Sequence, residues 1–67
     1  MTILKERLSK IRKEQRVSIE TIIQALGLKT KAAYYKKENG TTRFTLVEAK
    51  ILSRLFNKSI EEIFFDD

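Results

Sequence analysis

The side chains of this chain that could do chemistry are cations and hydrogen-bond donors, and they crowd into residues 29–43. That stretch reads K-T-K-A-A-Y-Y-K-K-E-N-G-T-T-R, five cations against one anion. The sequence has no His and no Cys. The usual zinc ligands, a thiolate nucleophile and an imidazole base are therefore missing. There is no Gly-rich phosphate loop, and the acids near the end of the chain, Glu61-Glu62 and Asp66-Asp67, have no complementary base beside them. Glu61 and Glu62 suit the start of a helix, where the dipole favours negative charge. Catalysis is not expected, and neither is a cofactor, a metal or a small-molecule substrate. These cations and donors suit recognition of a polyanion, the other reading being an ordinary solvated Lys-rich face. A lysine can donate to guanine O6 and N7, an alanine can touch a thymine methyl, and a tyrosine hydroxyl can reach a base edge or a phosphate. Lys29, Thr30, Lys31, Ala32, Tyr35 and Lys36 are the candidates for reading bases.

Such groups work only if something rigid aims them. Strand signals are absent and helical spacing runs throughout, so an all-α chain is expected. A first helix is expected over residues 3–15, with Thr2 as its N-cap and Leu4, Leu8 and Ile11 on one face. A second should run from Ile19 to Leu26, capped by Ser18 and stopped by Gly27, with Leu28 tucked under the turn. A third, from Lys31 to Glu38, should be capped by Thr30 and ended by Asn39-Gly40. Thr41 to Phe44 read as a loop. Thr45-x-x-Glu48 and Ser59-x-x-Glu62 are capping boxes that open a fourth helix over residues 46–57 and a short fifth one ending near Phe64. Two short helices joined by a tight glycine turn, the second carrying cations, is the layout of a helix-turn-helix. Its first helix would aim N–H groups at a phosphate, and its second would lie in the major groove.

Size and charge fit that layout. Sixty-seven residues make one domain, 1–67. So short a chain buries only about 60% of its unfolded surface, and without cysteine it must rely on well-packed helices or a partner subunit. No apolar run approaches the roughly 20 residues of a membrane span. The opening M-T-I-L-K-E-R-L alternates charge with apolar residues rather than forming a signal peptide, so no membrane contact and a cytoplasmic location are expected. The net charge of +5 is uneven: residues 1–16 and 29–43 are each +4, residues 17–28 are −1 and residues 44–67 are −2. A polyanion would meet the first helix and the 29–43 segment.

Taken together, the sequence resembles the phage repressor and Cro-like helix-turn-helix family, also called the XRE family. The resemblance covers nearly the whole chain. It is carried by S-I-E-T-I-I-Q-A-L-G-L from Ser18, E-N-G at Glu38-Asn39-Gly40, the Arg43-Phe44 pair, and N-K-S-I-E-E-I-F from Asn57. It implies a compact five-helix, lambda-repressor-like DNA-binding domain with the helix-turn-helix in helices 2 and 3. The function it implies is that of a transcriptional regulator, a small repressor that binds double-stranded DNA at a palindromic operator as a homodimer. It also implies phosphate contacts from Ser18, Asn39, Thr41, Thr42 and Arg43, which set register without reading sequence. Arg12 and Glu38 look similar to a family salt bridge that fixes the end of the recognition helix. The chain departs from the family pattern at Ile19, where a Gln is frequent, and at Ile23, where a small residue is usual. The spacing from Leu26-Gly27 to Glu38-Asn39-Gly40 is also one residue longer. Either Ala33 or Tyr34 could then be the buried anchor of the third helix, with Tyr34 favoured for the core and Tyr35 for the surface.

The fourth helix is apolar on two faces. Leu46, Ala49, Leu52 and Phe56 suit the core, while Val47, Ile51 and Leu55 form a second stripe that Phe65 could extend. A helix apolar on two faces is buried on both, or one is an interface. A homodimer through Val47, Ile51, Leu55 and Phe65 is therefore expected. The alternative is a protein-interaction module, such as an antirepressor or antitoxin-like partner, that kept the fold.

Overall fold

A computed structural model describes residues 4–65. Five helices follow one another: α1 (Leu4–Gln15), α2 (Ile19–Leu26), α3 (Lys31–Glu38), α4 (Leu46–Phe56) and α5 (Ile60–Phe64). The described residues contain no strand. The radius of gyration is 10.8 Å and the molecule measures 32 × 24 × 21 Å. The all-helical expectation holds, and the element bounds follow local chemistry. Thr2, the expected cap of α1, and Ile3 lie outside the described residues.

Each later helix begins at a hydroxyl in extended backbone. Ser18 Oγ accepts from the Thr21 N–H, Thr30 from Ala33, Thr45 from Glu48 and Ser59 from Glu62. Both expected capping boxes form, with the Glu48 and Glu62 carboxylates returning to the N–H groups of Thr45 and Ser59 at 2.8 Å. These bonds satisfy donors that a helix start otherwise leaves unmatched. The Ser59 N–H also holds the Glu62 carboxyl below the usual carboxylate range.

The ends of α2, α3 and α4 turn on residues that tolerate positive φ. Gly27 (φ 72°) ends α2, its N–H bonded to the Gln24 and Ile23 carbonyls. Gly40 (φ 89°) follows Asn39, which itself stays right-handed. Asn57, expected as the last residue of the fourth helix, is instead its left-handed cap (φ 54°). Asn is one of the few residues whose side chain makes that conformation inexpensive.

The core is one cluster of Leu8, Ile11, Ile22, Tyr34, Leu52, Phe56 and Ile63, drawn from all five helices. Phe44 and Phe64 pack against it edge to face, their ring centres 5.4 Å apart. Two long side chains fasten distant backbone carbonyls: Arg7 donates to the Ile63 carbonyl and Gln15 to that of Phe56, each at 2.8 Å. They tie α1 to α5 and to the end of α4. One core assignment fails. Leu46 is 67% exposed rather than packed inside. It is the first residue of α4, and its side chain borders an open depression rather than the core.

Candidate nucleic-acid interface

Helix α3 presents two different sides. Tyr34, Lys37 and Glu38 are buried, whereas Lys31, Ala32, Tyr35 and Lys36 are exposed. Positions three and four apart share a helix face, so an inward Tyr34 carries Lys37 and Glu38 inward with it. Tyr34, not Ala33, is the fully buried anchor; Ala33 is half-buried. Tyr35 keeps 41% of its surface and its ring lies 5.9 Å from that of Tyr34.

The inner side is held by charge as well as by packing. The Tyr34 hydroxyl donates to Glu38 Oε2 at 2.8 Å, and Arg12 Nη2 reaches the same oxygen at 3.3 Å. The guanidinium carbon lies 6.0 Å from the Tyr34 ring centre. Glu38 is 2% exposed, so its charge is neutralised within the protein rather than by water. Burial, reinforced by the Glu38 carboxylate, pushes the Tyr34 phenol well above the ordinary tyrosine range. The end of α3 is thus fixed to α1.

The sequence shows Lys31 to Lys37 as one basic run, but the structure divides it. Lys37 points away from solvent and bonds Glu48 Oε1 at 3.0 Å and the Arg43 carbonyl at 3.2 Å. It is not available to a ligand. Lys31 pairs with Glu20 of α2 at 2.8 Å across the turn between the two helices, and both ends remain more than half exposed. That hydrogen bond raises the Lys31 ammonium and lowers the Glu20 carboxyl from their ordinary values. Lys29 and Lys36 are exposed with no ion-pair partner among the described residues. The Thr30 oxygen accepts from the Ala33 N–H at 3.1 Å, leaving its O–H free to donate outward.

The residues expected to hold phosphates surround this side of α3 in the chain. Asn39, Thr41, Thr42 and Arg43 are exposed in the loop after α3, and Ser18 is exposed at the start of α2. Ser18 already caps α2 and shares a 2.9 Å bond with Thr21 Oγ1. The Thr42 N–H donates to the Lys36 carbonyl at 3.1 Å, which folds the loop back on the helix.

The expected dimer stripe is uneven. Val47 and Phe65 are 66% and 68% exposed, but Ile51 and Leu55 are half-buried and Leu55 packs against the core. The outer apolar surface is instead Leu46, Val47 and Phe65. Leu46 and Phe65 flank an open depression of about 630 Å³ floored by Ala49, Ile60 and Phe64.

The buried Lys37 and the Glu20–Lys31 pair escape sequence reasoning because each joins residues eleven positions apart, beyond any local motif. For Lys37 a signal exists, since a buried Tyr34 places position 37 on the same face. Among the described residues no cluster of acidic side chains could hold a metal ion, and no helix is long and apolar enough to cross a membrane. Comparison with known proteins finds no family model that matches the chain, and no significant match among curated proteins or solved structures.

Proposed function

We propose that this chain is a sequence-specific double-stranded DNA-binding transcriptional regulator, a small Cro-like repressor that binds a palindromic operator as a homodimer. The observation that carries the reading is the two-sided α3. Its inner side is fixed by Tyr34, Lys37 and Glu38, and its outer side offers Lys31, Ala32, Tyr35 and Lys36 to solvent. A rigid helix with outward donors is what major-groove readout requires. The turn over residues 27–30, with a left-handed glycine, supports reading α2 and α3 as a helix-turn-helix in a lambda-repressor-like arrangement. Lys29 and Thr30 stand where that helix enters the groove. Thr41, Thr42 and Arg43, with Ser18 and Asn39, take phosphates and set register. The protein acts without catalysis or cofactor, in the cytoplasm.

Dimerisation uses the apolar surface of Val47 and Phe65, with Leu46 added and with Ile51 and Leu55 at its edge. Two copies related by a two-fold axis then read half-sites about 34 Å apart. The same surface supports a second reading. Three large apolar side chains, each about two-thirds exposed, could equally receive another protein, making the chain an interaction module of the antirepressor or antitoxin kind.

Selection from a randomised duplex pool at two salt concentrations separates these readings. Enrichment of a palindrome with half-sites about ten base pairs apart is expected. Binding without enrichment would reduce the protein to a non-specific DNA coater. No binding at low salt would leave the protein-partner reading.

A further inference from the structure

The buried ammonium of Lys37 has no place in base reading, yet it stands at the junction of three segments. Its Nζ bonds Glu48 Oε1 of α4 at 3.0 Å and the Arg43 carbonyl of the loop at 3.2 Å, and lies 6.0 Å from the Phe44 ring centre. The same Glu48 oxygen accepts the Thr45 N–H at 2.8 Å. One carboxylate and one ammonium therefore hold residues 43 and 45, while the Thr42 N–H is tied to the Lys36 carbonyl. Burial pushes the Glu48 carboxyl up, but the Thr45 N–H and Lys37 outweigh it and hold it below the usual carboxylate range.

Stability alone does not require this device. A buried ion pair can be replaced by well-packed apolar side chains with little or no loss, because desolvation offsets the attraction. An apolar side chain at position 37 could pack, but it could not hold a carbonyl. What the ammonium adds is geometry: it fixes the backbone at Arg43 while the side chains of Thr41, Thr42 and Arg43 remain in solvent.

We propose that Lys37 is a positioning residue for DNA binding: its buried ammonium orders the loop of residues 40–44 so that Thr41, Thr42 and Arg43 meet the phosphate backbone without further ordering. The inference rests on the DNA-binding reading above. Ordering a loop on binding lowers affinity, and a loop held in advance avoids that loss. Such contacts to phosphate act on every sequence alike.

The test compares wild type with Lys37→Met/Glu48→Gln. That double variant keeps the summed charge of the pair and leaves a carbonyl oxygen at position 48 to accept from Thr45. Binding to a duplex is measured by anisotropy across a salt series, well below each melting temperature. Amide exchange is followed at residues 41–45 of the free proteins. The variant should bind about tenfold more weakly to preferred and scrambled duplexes alike. Its salt slope should be unchanged, because the same phosphate contacts form once the loop is ordered, and exchange in the loop should be faster. Lys37→Arg, which keeps the charge and its donors, should restore most of the affinity, and it serves as the folded comparison if the double variant proves unstable. Unchanged affinity in the double variant, or weaker binding with a shallower salt slope, would overturn the proposal while leaving the DNA-binding reading intact. So would faster loop exchange without weaker binding, or a Lys37→Arg variant that binds no better than the double variant. A wild type that binds no duplex at low salt would overturn both.

Discussion

Replacing Arg12 by Met tests whether charge neutralisation inside the fold holds the end of α3. Among the described residues the Arg12 guanidinium is the only cation within 4 Å of Glu38, at 3.3 Å, and the acid is 2% exposed. Removing one partner of a buried pair costs about 3–5 kcal/mol, because the remaining charge stays buried. Two features of this site reduce the figure. The Tyr34 hydroxyl still donates to Glu38 at 2.8 Å. Arg12 Nε is buried without a hydrogen-bond partner, so its removal returns about 1 kcal/mol or more of desolvation. The expected loss is about 2–3 kcal/mol. A chain of 67 residues has roughly 3–10 kcal/mol of stability in all, so Arg12→Met should remove at least about a fifth of it. Arg12→Met/Glu38→Gln removes the charge as well and keeps an acceptor for Tyr34. It should recover at least about half of the loss, a coupling typical of residues in one network. Urea unfolding followed by circular dichroism measures all three chains, with the slope checked for constancy. A loss below about 1 kcal/mol for the single variant, or no recovery in the double, would refute the reasoning.

Two further outcomes follow from the same geometry. The Tyr34 phenol is raised in the folded state, so its contribution is fully present below the unfolded value of about 10 and is lost as pH rises above it, at about 1.4 kcal/mol per pH unit. Tyr34→Phe should cost about 1.5–3 kcal/mol at neutral pH through the lost bond to Glu38. Its disadvantage should shrink between about pH 10 and 11, whereas parallel stability curves would contradict the assignment. At the apolar surface, Val47→Asp should shift sedimentation equilibrium from dimer to monomer at micromolar concentration without loss of helicity. A wild type that is monomeric at high micromolar concentration would remove the dimer.

What the sequence makes legible here is local. Ser18, Thr30, Thr45 and Ser59 act within three residues of themselves, and Gly27 needs only its own φ, so the helix bounds can be read along the chain. Side-chain fate depends on distant partners. Lys37 reads as one more surface cation until Glu48 and the Arg43 carbonyl are brought to it, and Lys31 reads as free until Glu20 crosses the turn. Leu46 shows the converse limit. Helical spacing gives it a direction but cannot show that nothing covers that side chain at the start of α4. Leu55 belongs by spacing to the outer stripe, but it is half-buried and packs against the core. The exposed side of α3 is legible as chemistry, since Lys, Ala and Tyr carry their donors and methyls wherever they lie. Which of them face outward follows only from the burial of Tyr34.

Sequence-specific binding through α3 is the central claim, and one titration tests it most directly. The palindrome enriched from a random pool, and a scrambled duplex of equal length and composition, are titrated with the protein by fluorescence anisotropy at one fixed physiological salt concentration. Binding to the palindrome should be at least about 1,000-fold tighter than to the scrambled duplex, and Lys31→Ala/Lys36→Ala should lose most of that ratio. Equal affinity for the two duplexes, or a ratio unchanged by those substitutions, would contradict it.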